Sequence, residues 1–274
     1  MIPDWLKRLL ITLVAMTVVV AFGVRALERA MMFHPVAYDG GPRWERPPDV
    51  QEEWIAGAGG TRLHAWRFRF HKTPRAVLVH NHGNGGNLTN ISALATDMAG
   101  RGYEVLLWDY RGYGHSEGDL PSDEETLFAD GAAVFDHARS LGKPVAVWGQ
   151  SLGTTVATDV CSRRPCAALV LESGLSSGRD YARTQVSWIP TALHIFAKFT
   201  FASASKLPKV NAPVLIAHGT ADRTIAYSHG ERLFAAAPVE RRRLLRIDGG
   251  THWLGATPGY WNQVAAFLDQ SLPH

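Results

Sequence analysis

Strand-like and helix-like segments alternate along this chain from about residue 50 to its end. Apolar and β-branched runs predict eight strands, at Val50–Ile55, Leu63–Phe70, Ala76–Val79, Tyr103–Trp108, Pro144–Trp148, Ala167–Leu171, Val214–Ala217 and Leu244–Ile247. Helical patterns intervene at Leu88–Ala99, Asp123–Leu141, Leu152–Ser162, Ser228–Ala237 and Gly259–Gln270. Two early strands without a helix between them indicate a hairpin, and the later alternation indicates βαβ units. The pattern predicts an α/β fold, with an eight-stranded, mostly parallel sheet flanked by helices.

An uncharged apolar stretch precedes this region, at residues 9–24. As a helix its sixteen residues rise about 24 Å, a little short of the ~30 Å hydrocarbon core of a bilayer. The flanking Lys7 and Arg25 can extend their long side chains to the interface. We therefore predict a single-pass transmembrane anchor over residues 1–30, with the folded domain outside the cytoplasm.

A secretory signal peptide is the alternative interpretation of the same stretch. Small residues in Ala21-Phe22-Gly23 stand at offsets that suit cleavage, which would leave a secreted or periplasmic protein. Residues 25–33 prolong the helical pattern instead of changing to an extended cleavage site. This continuation favours the uncleaved anchor.

The remaining chain divides into a linker, a main domain and a cap. Residues 31–49 are rich in Pro and Gly and are predicted to form an extended linker, and residues 50–274 form the α/β domain. Residues 175–207 interrupt the alternation and predict a small helical cap. Apolar side chains there, Trp188 and Phe196 among them, are predicted to bind substrate or to rest on the bilayer. The alternative is that they pack against the core.

A Gly-x-Ser-x-Gly pentapeptide, Gly149 to Gly153, falls between a predicted strand and a predicted helix. Ser151 is therefore expected on a sharp turn, for which the two glycines leave room. A serine hydroxyl is a poor nucleophile until a base removes its proton and donors stabilise the oxyanion. The pentapeptide is common by chance, but a strand before it and a helix after it are typical of a nucleophile elbow. Ser151 is the predicted nucleophile.

Partners for this serine follow later strands. His252 comes after the last predicted strand in a Gly-Gly loop and is the predicted general base. Asp222 comes after the seventh predicted strand and is the predicted acid that orients the imidazole. The order Ser151, Asp222, His252 is typical of hydrolases built on an open α/β sheet. The predicted oxyanion donors are the backbone N–H groups of Leu152, after the nucleophile, and Asn84, in the glycine-rich loop after the third strand.

Composition and cysteine spacing give no support for a nucleic-acid-binding protein or for a metal site. The formal net charge of +3 is small for 274 residues, and no basic stripe interleaved with aromatic residues predicts a nucleic-acid partner. The two cysteines, Cys161 and Cys166, have no second cysteine pair or nearby histidine to complete a zinc site, so neither a metal nor a cofactor is predicted. We interpret them as buried free thiols, with a disulfide in an oxidising compartment as the alternative.

Five short segments carry motifs: His82–Asn87, Asp109–Ser116, Gly149–Gly153, His218–Asp222 and Met32–Pro35. Together they resemble the membrane-anchored α/β-hydrolase-domain serine hydrolases, a group with bacterial, fungal and animal members that includes animal protein depalmitoylases. The resemblance covers nearly the whole chain and implies the α/β-hydrolase fold. It implies hydrolysis of an ester or thioester through an acyl-enzyme, with Ser151, Asp222 and His252 as the triad.

One departure from that group concerns the amino terminus. The depalmitoylating members carry a cysteine-rich amino terminus, which this chain lacks, so the resemblance implies hydrolase chemistry without that specific role. Asp109 and Arg111 lie in a strongly patterned loop and are interpreted as a structural ion pair.

The predicted function is a serine hydrolase acting on a small-molecule or lipid acyl ester, or thioester, with a lipophilic acyl group. A non-hydrolytic, haloperoxidase-like enzyme that uses the same triad is one alternative. A catalytically idle domain that serves as a binding scaffold is another. Parallel esterase and perhydrolysis assays separate the two enzymes, and an active-site probe separates both from the scaffold.

Overall fold

The amino-terminal apolar stretch forms one long helix, α1 (Asp4–Met32), in the computed structural model of the chain, which describes residues 2–36, 45–186 and 190–272. Its 29 residues measure about 43 Å along the axis, enough to cross a ~30 Å hydrocarbon core. The helix continues through residues 25–32, as the helical pattern there predicts. Its length and composition fit a membrane anchor or a signal sequence.

Ten strands are found among the described residues: β1 (His34–Pro35), β2 (Val50–Ala56), β3 (Arg62–Phe68), β4 (Val77–Asn81), β5 (Gly85–Gly86), β6 (Glu104–Trp108), β7 (Val145–Gln150), β8 (Ala168–Glu172), β9 (Val214–Gly219) and β10 (Arg242–Ile247). Eight of them form one sheet in the order β10-β9-β8-β7-β4-β6-β3-β2. β3 runs antiparallel to both β2 and β6, and the other neighbours are parallel. The predicted eight-stranded, mostly parallel sheet is confirmed.

The two remaining strands change the interpretation of the predicted linker. β1 pairs in parallel with β5, so that His34 lies opposite Gly85. The chain just after α1 is therefore hydrogen-bonded to the loop that follows β4. Residues 37–44 of the predicted linker lie outside the described residues.

Helices cover both faces of the sheet: α2 (Ser92–Gly100), α3 (Glu124–Ser140), α4 (Gly153–Arg163), α7 (Ser228–Ala236) and α8 (Tyr260–Ser271), while the short helices α5 (Gly178–Gln185) and α6 (Ser203–Lys206) lie in the segment between β8 and β9. One core cluster includes residues of α3, α4 and α7, and the other includes residues of α2 and α8. Every residue of β4, β6, β7, β8 and β9 is buried, as expected for parallel strands with both faces covered.

Residues 175–207, the predicted cap, contain α5, a 3-10 helix over Thr191–Phe196, and α6. Phe199 and Phe201 of this segment are buried in the core. For these two residues the alternative interpretation, that apolar cap residues pack against the core, is therefore correct. Ile195 is 78% exposed. The cap is thus fastened to the core by Phe199 and Phe201, the latter against Phe128 of α3, whereas Ile195 points outward.

The two cysteines form a disulfide, with Cα atoms of Cys161 and Cys166 5.5 Å apart. The interpretation as free thiols is wrong. Helix α4 ends at Arg163, and Arg164 is extended, so the chain leaves the helix and places Cys166 beside Cys161. A separation of 5.5 Å lies within the range that a disulfide bridges.

Arg111 pairs with Asp130 and not with Asp109, so the interpretation of Asp109 and Arg111 as an ion pair is wrong. Nε and Nη2 of Arg111 donate to the two carboxylate oxygens of Asp130 at 2.6 and 2.7 Å. Asp109 is fully buried and accepts the backbone N–H of Leu88 at 2.7 Å. Asp130, on helix α3, thus accepts two guanidinium hydrogen bonds from Arg111.

Candidate active site

Ser151 lies on the turn that joins β7 to α4. Its φ angle is 51°, in the left-handed region that non-glycine residues rarely adopt. A Cβ added to Gly149 would lie 2.4 Å from the carbonyl oxygen of Gly153, and one added to Gly153 would lie 2.0 Å from the carbonyl oxygen of Asn81. Both glycines are therefore required by close backbone contacts. The turn has the geometry that the sequence predicts for a nucleophile elbow.

Asp222 and His252 form a hydrogen-bonded pair at the same edge of the sheet. Nδ1 of His252 lies 2.8 Å from Oδ2 of Asp222, and the other oxygen of Asp222 accepts the N–H groups of Thr224 and Ile225 at 2.8 and 2.9 Å. The His252 side chain remains 25% exposed, which leaves its second nitrogen accessible.

The Asp222 carboxyl is held in its charged form. Burial raises its pKa, but hydrogen bonds from His218, His252 and the N–H of Ile225 outweigh burial and hold the pKa below its usual value. An ionised carboxylate at this position fixes the imidazole tautomer and stabilises an imidazolium. The Asp222–His252 pair is thus suited to accept a proton from a nucleophile on His252 while Asp222 stabilises the resulting imidazolium.

The end of β8 and the residue that follows it link the nucleophile turn to the histidine loop. The N–H of Ser151 donates to the carbonyl of Glu172 at 2.9 Å, and the hydroxyl of Ser173 donates to the carbonyl of His252 at 2.9 Å. Within the described residues, no hydrogen bond joins Ser151 Oγ to His252 Nε2. Such bonds are often long without substrate and shorten in the Michaelis complex.

One predicted oxyanion donor belongs to the turn at Ser151, and the other belongs to a loop that passes close to this serine. Leu152 follows it directly, and a Cβ added to Gly83, the residue before Asn84, would lie 3.6 Å from the Cβ of Ser151. Among the described residues, no acceptor takes the backbone N–H of Asn84 or of Leu152. Neither N–H group is therefore engaged by another described group, and their role as oxyanion donors stays a prediction.

Side chains that sequence reasoning missed hold the Asn84 loop in place. The hydroxyl of Tyr110 donates to the carbonyl of His82 at 2.6 Å, and that of Tyr113 donates to the carbonyl of Asn84 at 2.7 Å. The N–H of His34 donates to the same Asn84 carbonyl at 2.8 Å. Both tyrosines belong to the motif at residues 109–116, and two tyrosines three residues apart in that motif are the sequence signal for this support.

A second buried carboxyl group, Glu172 at the end of β8, is not among the site residues predicted from the sequence. It is buried, and it accepts hydrogen bonds from Trp148 Nε1 at 3.1 Å and from the Tyr260 hydroxyl at 3.0 Å. Burial raises the pKa of Glu172 from 4.5 to about 7, and the hydrogen bonds only partly oppose this. The native state therefore keeps this proton up to near neutral pH.

The raised pKa of Glu172 predicts a pH-dependent stability. Between pH about 4.5 and about 7 the native state binds a proton that the unfolded state has lost, so the free energy of unfolding falls as pH rises through this window. The shift corresponds to a loss of about 3 kcal/mol. We expect Glu172→Gln to remove this loss, measured by urea unfolding at pH about 5 and about 8. Glu125→Gln, at a side chain 66% exposed, is the matched control. An unchanged pH dependence in Glu172→Gln would contradict the assignment.

Comparison with known sequences places these features in a family. An uncharacterized protein of Mycobacterium tuberculosis is 33% identical over 249 residues, which cover 87% of this chain and 86% of that protein. The alpha/beta hydrolase domain-containing protein 17C of Mus musculus is 30% identical over 222 residues, which cover 79% and 67%. The chain belongs to the α/β-hydrolase superfamily. This α/β-hydrolase also matches, over residues 72–204, the family described as serine aminopeptidase, S33.

Other relatives differ in length or share only the fold. The alpha/beta hydrolase domain-containing protein aho-3 of Caenorhabditis elegans is 34% identical over 203 residues, and this α/β-hydrolase spans only 57% of it. An esterase of Pyrococcus furiosus superposes with a TM-score of 0.71 at 17% identity, covering 88% of this chain and all of that one. A monoacylglycerol lipase of Paleococcus ferrophilus gives 0.59 at 20% identity, covering 76% and 97%.

The two predicted substrate-binding residues of this α/β-hydrolase have different outcomes. Trp188 lies outside the described residues. Phe196 ends the 3-10 helix of the cap and is half-buried, and its contact with substrate stays a prediction. The structure brings Ser151, Asp222, His252, Asn84 and Leu152 to one edge of the sheet, next to the carboxyl ends of β4, β7, β9 and β10.

A separate group of side chains in this α/β-hydrolase consists of residue types that can bind a metal ion. Glu52, His64 and His115 each place one potential ligand atom within 4.8 Å of the others. Nε2 of His64 already pairs with the Glu52 carboxylate at 2.8 Å. Glu52 and His64 lie on β2 and β3, which are at least four strands from β8 in the sheet. We assign this group no part in the reaction proposed for Ser151.

Proposed function

We propose that this α/β-hydrolase is a serine hydrolase that cleaves a carboxylic ester or thioester with a lipophilic acyl group. One observation carries the proposal. Ser151 occupies a turn with φ 51°, beside two backbone N–H groups without acceptors among the described residues, at the sheet edge that holds the His252–Asp222 pair. A strained serine with donors and a base nearby is the arrangement that acyl transfer requires.

The proposed reaction proceeds through an acyl-enzyme. His252 takes the proton of the Ser151 hydroxyl as its oxygen attacks the acyl carbon, and the N–H groups of Asn84 and Leu152 stabilise the oxyanion. The intermediate collapses when His252 returns the proton to the leaving alcohol or thiol. Water, activated by His252, then attacks the acyl carbon and releases the acid and Ser151. Asp222 remains ionised throughout and stabilises the imidazolium.

We propose further that α1 anchors the enzyme in a membrane, with the catalytic domain outside the cytoplasm. A signal peptide that is cleaved is the alternative for the same segment. The disulfide between Cys161 and Cys166 supports an oxidising compartment for the domain, because such bonds persist there and are rare in the cytosol.

The test uses the purified full chain in detergent micelles. We expect a fluorophosphonate probe to label it and p-nitrophenyl butyrate to be hydrolysed. No labelling would contradict the proposal and favour an idle scaffold. Perhydrolysis much faster than ester hydrolysis would favour the haloperoxidase-like alternative. Faster cleavage of aminoacyl p-nitroanilides than of esters would favour a peptidase, the activity that the matched family's description names.

A further inference from the structure

A cavity of about 1020 Å³ lies between α1 and the cap, apart from the residues proposed for chemistry. Its volume is at the upper end of the range of roughly 300–1,000 Å³ that is usual for small-ligand sites. Its walls are mainly apolar, from α1 on one side and the cap on the other: Val20, Gly23, Val24 and Leu27, with Val186 and Leu193 opposite. An apolar cavity of this size suits a hydrocarbon chain.

The end of α1 is fastened to the cap. The Glu28 carboxylate accepts the backbone N–H groups of Lys198 and Phe199 at 2.8 and 3.0 Å. Phe33, just past the helix, packs edge-on against the ring of Phe199 with centroids 5.5 Å apart. Arg29 donates to the carbonyl of Leu120 at 2.7 Å. The cavity is therefore bounded on two sides by elements that are held together, and α1 forms one of these sides.

The cavity lies within reach of the proposed nucleophile. Ser177 lines it and stands five residues after Glu172, whose carbonyl accepts the N–H of Ser151 at 2.9 Å. Five residues span at most about 18 Å, and the turn at Ser173, with φ 47°, shortens this path. A lipid acyl chain extends through half of a ~30 Å hydrocarbon core, or roughly 15 Å. The two lengths are comparable.

No residue of α1 is buried, so the helix that forms the wall of the cavity also offers apolar side chains to its surroundings. Apart from Glu28, the α1 residues that line the cavity are apolar, so an acyl chain that moves from the bilayer along α1 into the cavity would meet mainly apolar surface. Because apolar surface connects the outside of α1 with the cavity, we infer that the acyl chain of a membrane-resident substrate occupies the cavity.

We propose that the cavity between α1 and the cap binds the long acyl chain of the substrate, which reaches Ser151 from the bilayer side. This inference rests on the proposed function, because it places an acyl group on Ser151. It makes α1 a determinant of chain-length selectivity and not only a tether.

The test compares two equivalent substitutions on α1 of the full chain. Val24 lines the cavity, whereas Val19 is 70% exposed and does not. We expect Val24→Trp to lower kcat/KM for p-nitrophenyl palmitate relative to butyrate by about 10-fold or more, as filling an apolar pocket does. Val19→Trp should keep the wild-type ratio. Hexadecyl and ethyl fluorophosphonates, compared by labelling rate, give the same ratio without turnover.

A second variant controls for the possibility that tryptophan at position 24 disturbs the whole fold. Gly23 also lines the cavity, and an added Cβ there meets no atom within 4 Å, so Gly23→Leu fills open space. A reduced palmitate-to-butyrate ratio in Gly23→Leu supports the inference even if Val24→Trp loses all activity. An unchanged ratio in Gly23→Leu, or equal ratios in Val24→Trp and Val19→Trp, overturns it. Failure of both fluorophosphonates to label the wild type overturns the proposed function instead.

Discussion

Replacing Ser151 with alanine is expected to lower kcat for p-nitrophenyl butyrate by about 10⁴-fold or more. Without the hydroxyl no acyl-enzyme forms, and only the backbone N–H donors and substrate binding remain to stabilise the transition state. Because alanine removes one atom from a side chain that is 7% exposed and makes no hydrogen bond through its hydroxyl among the described residues, the fold should persist. Burst and steady-state kinetics, with fluorophosphonate labelling, measure the effect.

Ser162→Ala is the matched control for this variant. Ser162 lies near the end of α4, the helix that begins beside the nucleophile, and its hydroxyl donates only to the carbonyl of Asp159 at 2.7 Å among the described groups. We expect wild-type kcat and labelling in this variant. Undiminished hydrolysis by Ser151→Ala would refute the assignment of the nucleophile.

The second large effect is expected from Gly153→Ala, which acts on the fold. The added Cβ would lie 2.0 Å from the carbonyl oxygen of Asn81 and 2.6 Å from its carbonyl carbon. These are backbone atoms of β4, next to β7 in the sheet, so relief requires that α4 move away from the sheet. We expect a loss of about 3 kcal/mol or more in the free energy of unfolding, measured by urea denaturation, together with loss of probe labelling.

Gly100→Ala provides the corresponding control. An added Cβ at Gly100, the last residue of α2, meets no atom within 4 Å, and alanine favours a helix by roughly 1 kcal/mol over glycine. Stability should stay equal or rise slightly, and labelling should not change. Equal stability of the Gly153→Ala and Gly100→Ala variants would show that the elbow is not closely packed against β4.

Much of the fold was predictable because its signals are local. Each of the eight predicted strands overlaps a strand of the main sheet, and the five predicted helices correspond to α2, α3, α4, α7 and α8. Ser151, Asp222 and His252 each follow a predicted strand, and the carboxyl ends of parallel strands meet at one edge of a sheet. Periodicity and chain order were therefore enough to place these three residues at one edge.

Local sequence patterns are enough to define the elements and the order of the candidate residues along them. The pairing of distant groups depends on the folded arrangement: Arg111 pairs with Asp130, the Tyr113 hydroxyl with the Asn84 carbonyl, and the end of α1 with the cap. Several carboxylates and carbonyls could serve each donor equally well by type. The choice depends on three-dimensional distances between segments far apart in the chain, and a local pattern does not contain those distances.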